Sequence, residues 1–100
     1  MRYNKLVRDK IPEYIEKKGG KAIFHIAEDE EYWVKLKEKL SEEVLEFKKD
    51  ESAEELADLL EVIDAIFDYK HFDREEVEKI KDKKVEERGK FTKRVILEES

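Results

Sequence analysis

The stretch Ser41–Asp64, SEEVLEFKKDESAEELADLLEVID, decides how the chain folds and what chemistry it can carry. In it Glu43-x-x-Glu46 precedes a short polar break from Lys49 to Ser52, and Glu55-x-x-Asp58 follows. Carboxylates three residues apart share one face of an α-helix. A break this short forces consecutive helices to run antiparallel, so the spacing predicts two acidic pairs meeting across a helical hairpin. Four converging carboxylates are either a hard-cation site or two solvated helix faces. Like charges that close repel, so convergence needs a cation or shared protons, and oxygen-only ligands suit Mg2+ or Mn2+.

Upstream of the break, a helix is expected from about Asp29 to Lys49. At roughly 100° per residue, Tyr32, Trp33, Leu36, Leu40, Val44 and Phe47 form one apolar stripe. Glu43 falls inside that stripe and Glu46 sits on its shoulder. Desolvating a lone carboxylate costs several kcal/mol unless it is paired or metal-bound. Glu43 therefore weighs toward a cation, whereas the spacing alone arises readily by chance in a chain with 28 acidic residues. Downstream, a helix from about Ala53 to Tyr69 carries Leu56, Leu59, Leu60, Ile63, Ile66 and Phe67 as its stripe. Glu55 and Asp58 flank that stripe at a seam beside Val62 and Ala65, and Ser52-x-x-Glu55 matches a capping box.

Working outward, a short helix is expected from about Lys10 to Lys18, with Asp9 as N-cap, Pro12 in the first turn and Gly19-Gly20 at the end. Lys21–Ile26 reads as a strand, and the other β-branched run, Arg94–Leu97, is its expected partner. A last helix opens at the capping box Asp73-x-x-Glu76 and runs to about Arg88, stopped by Gly89. Its apolar face is thin, with Val77, Ile80 and Val85, and Lys81, Lys84 and Arg88 recur on it at helical spacing. Those cations, like Lys5, Arg8 and Lys10 near the start and Lys93 and Arg94 near the end, are solvated basic groups unless a phosphate gathers them. His25 and His71 are isolated, and Trp33 and Phe47 read as core residues. No Ser-His-Asp set or Gly-rich phosphate loop is visible.

One hundred residues without an internal repeat or a Pro- or Ser-rich linker make one domain, 1–100. The net charge of −6 disfavours nucleic acid or an anionic membrane as the main partner, since both call for a basic footprint. The absence of cysteine excludes disulfides, thiolate zinc sites and a cysteine nucleophile. With neither a membrane-length apolar run nor a secretory leader, the expected location is cytoplasmic. Abundant Lys and Glu, no Gln and a single Asn fit a thermophilic source.

Tyr3-Asn4-Lys5-Leu6-Val7-Arg8-Asp9-Lys10-Ile11-Pro12, Lys39-Leu40-x-Glu42-Glu43-x-x-Glu46, Glu54-Glu55-Leu56-Ala57-Asp58 and Glu87-Arg88-Gly89-x-Phe91, followed by Val95-Ile96-Leu97, cover nearly the whole chain. In combination they resemble the small nucleoside triphosphate pyrophosphohydrolases of the MazG superfamily, in the phosphoribosyl-ATP pyrophosphohydrolase-like branch. The resemblance implies a mainly all-α helical bundle with two long antiparallel helices, two shorter helices, a small terminal β pair and assembly as a homodimer. The superfamily's E-x-x-E and E-x-x-D motif maps onto Glu43, Glu46, Glu55 and Asp58. By that resemblance they hold Mg2+, or Mn2+, with Glu43 and Glu46 catalytic. Water attacks the α-phosphorus of a nucleoside triphosphate, non-canonical nucleotides in the house-cleaning members, releasing a monophosphate and pyrophosphate. Lys84 and Arg88 are the implied phosphate contacts, and Asn4 to Lys10 line the site. Eight residues separate Glu46 from Glu55, fewer than is usual in the superfamily, so the hairpin is tight and its pocket reduced. A non-catalytic binding or assembly module that keeps the fold is the alternative.

Overall fold

Apolar-periodic runs free of internal glycine become helices, and the four expected ones form. In the computed structural model, which describes residues 4–100, they are α1 (Ile11–Lys17), α2 (Asp29–Lys49), α3 (Ala53–Lys70) and α4 (Arg74–Arg88). Tyr3, the first residue of the N-terminal motif, lies outside the described residues. None of the described helices is long and apolar enough to cross a membrane. The chain divides into two compact units, one ending at Tyr69 and one of Lys70–Ser100.

The first unit is built on the α2–α3 hairpin. Asp50–Ser52 is the whole connection, and Ser52 starts α3 by accepting the Glu55 amide on its Oγ at 3.2 Å. At the far end the Trp33 and Tyr69 rings stack in parallel at 5.0 Å, Tyr32 meets Tyr69 edge-on at 5.5 Å, and the Tyr69 hydroxyl donates to the Asp29 carbonyl. The start of α2 thus lies against the end of α3, as an antiparallel pair requires. Between the two ends Leu36 and Val62 are buried, and so is Glu43.

Only part of the expected α3 stripe is covered: Leu59, Ile63, Ile66 and Phe67 are half-buried, whereas Leu56 and Leu60 are exposed. Glu55, Asp58, Val62 and Tyr69 share one side at helical spacing, and Val62 is the buried one. Leu56, Leu60, Ile63 and Phe67 are centred about 140° round the helix from that side. As a result Leu56 and Leu60 stay 44% and 53% exposed.

α1 begins one residue later than Asp9 predicts. Lys10 occupies the N-cap with no side-chain cap bond, Pro12 sits in the first turn where its missing N–H costs nothing, and Gly19 takes φ +87° beyond the last turn. The second unit holds α4, capped by Asp73, whose carboxylate accepts the Glu75 amide at 3.0 Å. Gly89 closes α4 at φ +84°, with its N–H on the Val85 carbonyl.

The expected β pair does not form; no strand occurs among the described residues. Arg94 takes a left-handed φ of 58° and donates its N–H to the Phe91 carbonyl, so the run that was to be a strand opens with a turn. Ile23, Ile26, Val95 and Ile96 are exposed. β-branched propensity without a neighbouring ladder stabilises nothing.

Candidate metal centre

The centre of the hairpin is built from both helices. On α2, Glu43 is 8% exposed, and the Lys39 ammonium one turn earlier lies 3.4 Å from its Oε1. On α3, Glu55 and Asp58 stand in the first two turns. Their placement depends on how the helix starts: the Ser52 amide donates to the Asp50 carbonyl at 2.8 Å, so it does not require the Glu55 side chain. Half of the capping box forms and the Glu55 carboxylate turns to the seam. One carboxylate oxygen each from Glu43, Glu55 and Asp58 lies within 4.8 Å of the other two.

Glu46, expected as the fourth member, is half-buried and is not one of these three, although its charge acts on Glu55. Partial desolvation first, and then the negative charges of Asp58, Glu46, Glu43 and Asp50, hold the Glu55 carboxyl above its ordinary pKa. Glu42, next to Glu43 in sequence, shows the opposite. The Lys5 ammonium donates to it at 2.9 Å and Lys39 at 3.2 Å, and these bonds, Lys5 first, hold its pKa below the ordinary value against a smaller effect of burial. A third cation enters from the N-terminal segment, where Arg8 Nη2 donates to Asp58 Oδ1 at 2.8 Å.

The donor set fits a small hard dication. Octahedral Mg2+ or Mn2+ needs oxygens roughly 3–4 Å apart around it, which modest rotation of three carboxylates supplies from the observed spacing. All donors are oxygen, and three carboxylates would exceed the charge of one such ion.

Of the residues expected at the site, the structure therefore brings together Glu43, Glu55 and Asp58, with Glu46 beside them. Lys84 and Arg88 are exposed on α4 of the second unit. Lys39 is visible in the sequence only as the first residue of a motif, although its position four residues before Glu43 is a readable helical pairing. Arg8 stands in the sequence as a basic residue and, by the resemblance, within the site-lining run Asn4 to Lys10, but its contact with Asp58 leaves no local signal across fifty residues. His25 is not isolated, since its Nε2 lies 2.8 Å from the Glu31 carboxylate at the start of α2.

No family model matches the chain, and no solved structure matches it. A protein of Mycolicibacterium smegmatis, described only as an uncharacterized protein, is 46% identical over 43 residues. That match covers 43% of this chain and 44% of the relative's length, so the chain spans less than half of the curated relative it resembles.

Glu55 carries a pH signature. Its raised pKa means that the folded chain disfavours the ionised carboxylate, a penalty absent in acid and full above the folded-state pKa. Glu55→Gln is expected to raise the thermal midpoint in metal-free buffer at neutral pH, with the gain fading as pH falls through the Glu55 titration. A gain of equal size in acid and at neutral pH contradicts a charge origin.

Proposed function

We propose that the chain is a divalent-cation-dependent nucleotide pyrophosphohydrolase that converts a nucleoside triphosphate to the monophosphate and pyrophosphate. The observation that carries this reading is the approach of Glu43, Glu55 and Asp58 from facing helices, with Glu43 nine-tenths buried. The sequence resemblance points to the same residues. Glu43, Glu55 and Asp58 hold the cation, with Glu46 as the fourth carboxylate. When bound, Mg2+ or Mn2+ polarises a phosphoryl oxygen and acidifies a water. Such a water would be the nucleophile for hydrolysis at the α-phosphorus, where its oxygen would replace the bridging oxygen and pyrophosphate would leave with the electron pair, and Glu46, beside the three ligands, would accept the proton. The substrates are cytoplasmic nucleotides of the non-canonical class.

A homodimer belongs to the same reading. The supporting observation is the uncovered Leu56–Leu60 side of α3, which a second copy would bury.

Release of pyrophosphate from a panel of NTPs and dNTPs with Mg2+ tests the activity. Glu43→Gln is expected to lower kcat about 100-fold or more, since it removes a ligand charge at the centre of the set. Equal background rates in both proteins would remove the enzyme reading and leave a binding or assembly module. Sedimentation tests the assembly: Leu60→Glu is expected to convert a dimer to a monomer, and a wild-type monomer contradicts the dimer.

A further inference from the structure

Arg8 belongs to the segment that precedes α1, and its backbone is held in place by the Ile11 amide, which donates to the Arg8 carbonyl at 3.1 Å. From that turn the guanidinium reaches Asp58 on α3, while Lys5, three residues earlier, reaches Glu42 on α2. Residues 5–8 therefore lay one cation against each helix of the acidic hairpin. The Arg8–Asp58 pair is partly exposed, with side chains 58% and 44% accessible, so water and ions can enter between its members. A guanidinium hydrogen-bonded to a carboxylate and a dication on that carboxylate stand about 5 Å apart, where two positive charges repel. The planar fork that suits a carboxylate also suits a phosphate. In a site whose own charges are negative, an incoming polyphosphate needs a protein cation close to the metal.

We propose that Arg8 is a counter-cation with two partners: it neutralises Asp58 while no metal is bound, the divalent cation displaces it, and its guanidinium then pairs with a substrate phosphate. This rests on the cation site of the proposed function. Arg8 is thus a phosphate-binding residue whose resting contact is a metal ligand, which gives it opposite effects on the two ligands. It opposes the metal and favours the phosphate. A residue with a merely structural role weakens both when removed.

The test uses Mn2+ alone and then inorganic pyrophosphate, each followed by calorimetry on the full chain. Four proteins are compared: wild type, Arg8→Gln, Arg8→Lys, and Lys17→Gln. Lys17 pairs with Glu13 on α1, so its replacement makes the same charge change without touching Asp58. Arg8→Gln is expected to bind Mn2+ about two- to fivefold tighter than wild type, the range of a partly exposed ion pair, and Lys17→Gln to shift it less. On the Mn2+-loaded proteins, pyrophosphate is expected to bind about tenfold more weakly to Arg8→Gln, and Arg8→Lys, which keeps the charge without the fork, to fall between. Mn2+ affinity in Arg8→Gln that is unchanged, weaker, or shifted no more than in Lys17→Gln overturns the displacement. Equal pyrophosphate affinity overturns the phosphate role. Mn2+ binding to wild type with either result leaves the cation site standing, whereas no Mn2+ binding to any of the four removes that site and this proposal together.

Discussion

A carboxylate with 8% of its surface exposed, in the seam between two antiparallel helices, is the constraint on which the rest of the hairpin depends. Glu43 occupies a position where α2 otherwise presents Leu36, Leu40 and Phe47, and desolvating its charge costs several kcal/mol unless positive charge compensates. Lys39 supplies part of that compensation at 3.4 Å. Glu55 and Asp58 add negative charge opposite, and Arg8 answers Asp58. The arrangement is the reverse of a simple apolar core. It places the most costly groups centrally and closes the two ends around them, with Ser52 at the turn and the Trp33–Tyr69 stack at the open end.

That placement has a cost in packing. α3 turns its acidic side to α2, and Leu56 and Leu60 remain about half exposed. Full burial of a leucine contributes about 1.5–3 kcal/mol, so half of that is forgone at each. The loss is comparable with the cost of leaving one buried carboxylate poorly compensated. The proposed second copy answers the first and the proposed cation the second.

Much of the fold is legible in the sequence because it is written locally. The four helices follow from apolar period, and Ser52, Asp73 and Gly89 mark helix ends where capping chemistry puts them. Glu43 within the α2 stripe is visible by counting residues, and so is the three-residue spacing that brings Glu55 and Asp58 to one side. The failures are tertiary. Stripe analysis turns Leu56 and Leu60 inward with the rest of the α3 stripe, because it cannot weigh a leucine against a carboxylate that a distant segment will compensate. The β pair fails because β propensity is realised only by a partner, and because Arg94 adopts a left-handed turn that its residue type does not announce. Arg8 against Asp58 is a contact between a loop and a helix with no sequence period at all.

The two glutamates on either side of this balance, Glu42 with its lysines and Glu55 among carboxylates, have pKa values displaced in opposite directions. The Lys5 hydrogen bond leads in favouring the ionised form at Glu42, whereas desolvation first and neighbouring carboxylates second oppose it at Glu55, one of the three side chains that converge. The most direct measurement is a crystal structure of the chain grown with Mn2+, with an anomalous difference map to locate the metal. One peak about 2.2 Å from oxygens of Glu43, Glu55 and Asp58 is expected, with the Arg8 guanidinium turned away from Asp58. A map without density at these residues, Arg8 still paired to Asp58 and the three carboxylates solvated, contradicts a metal centre in the hairpin.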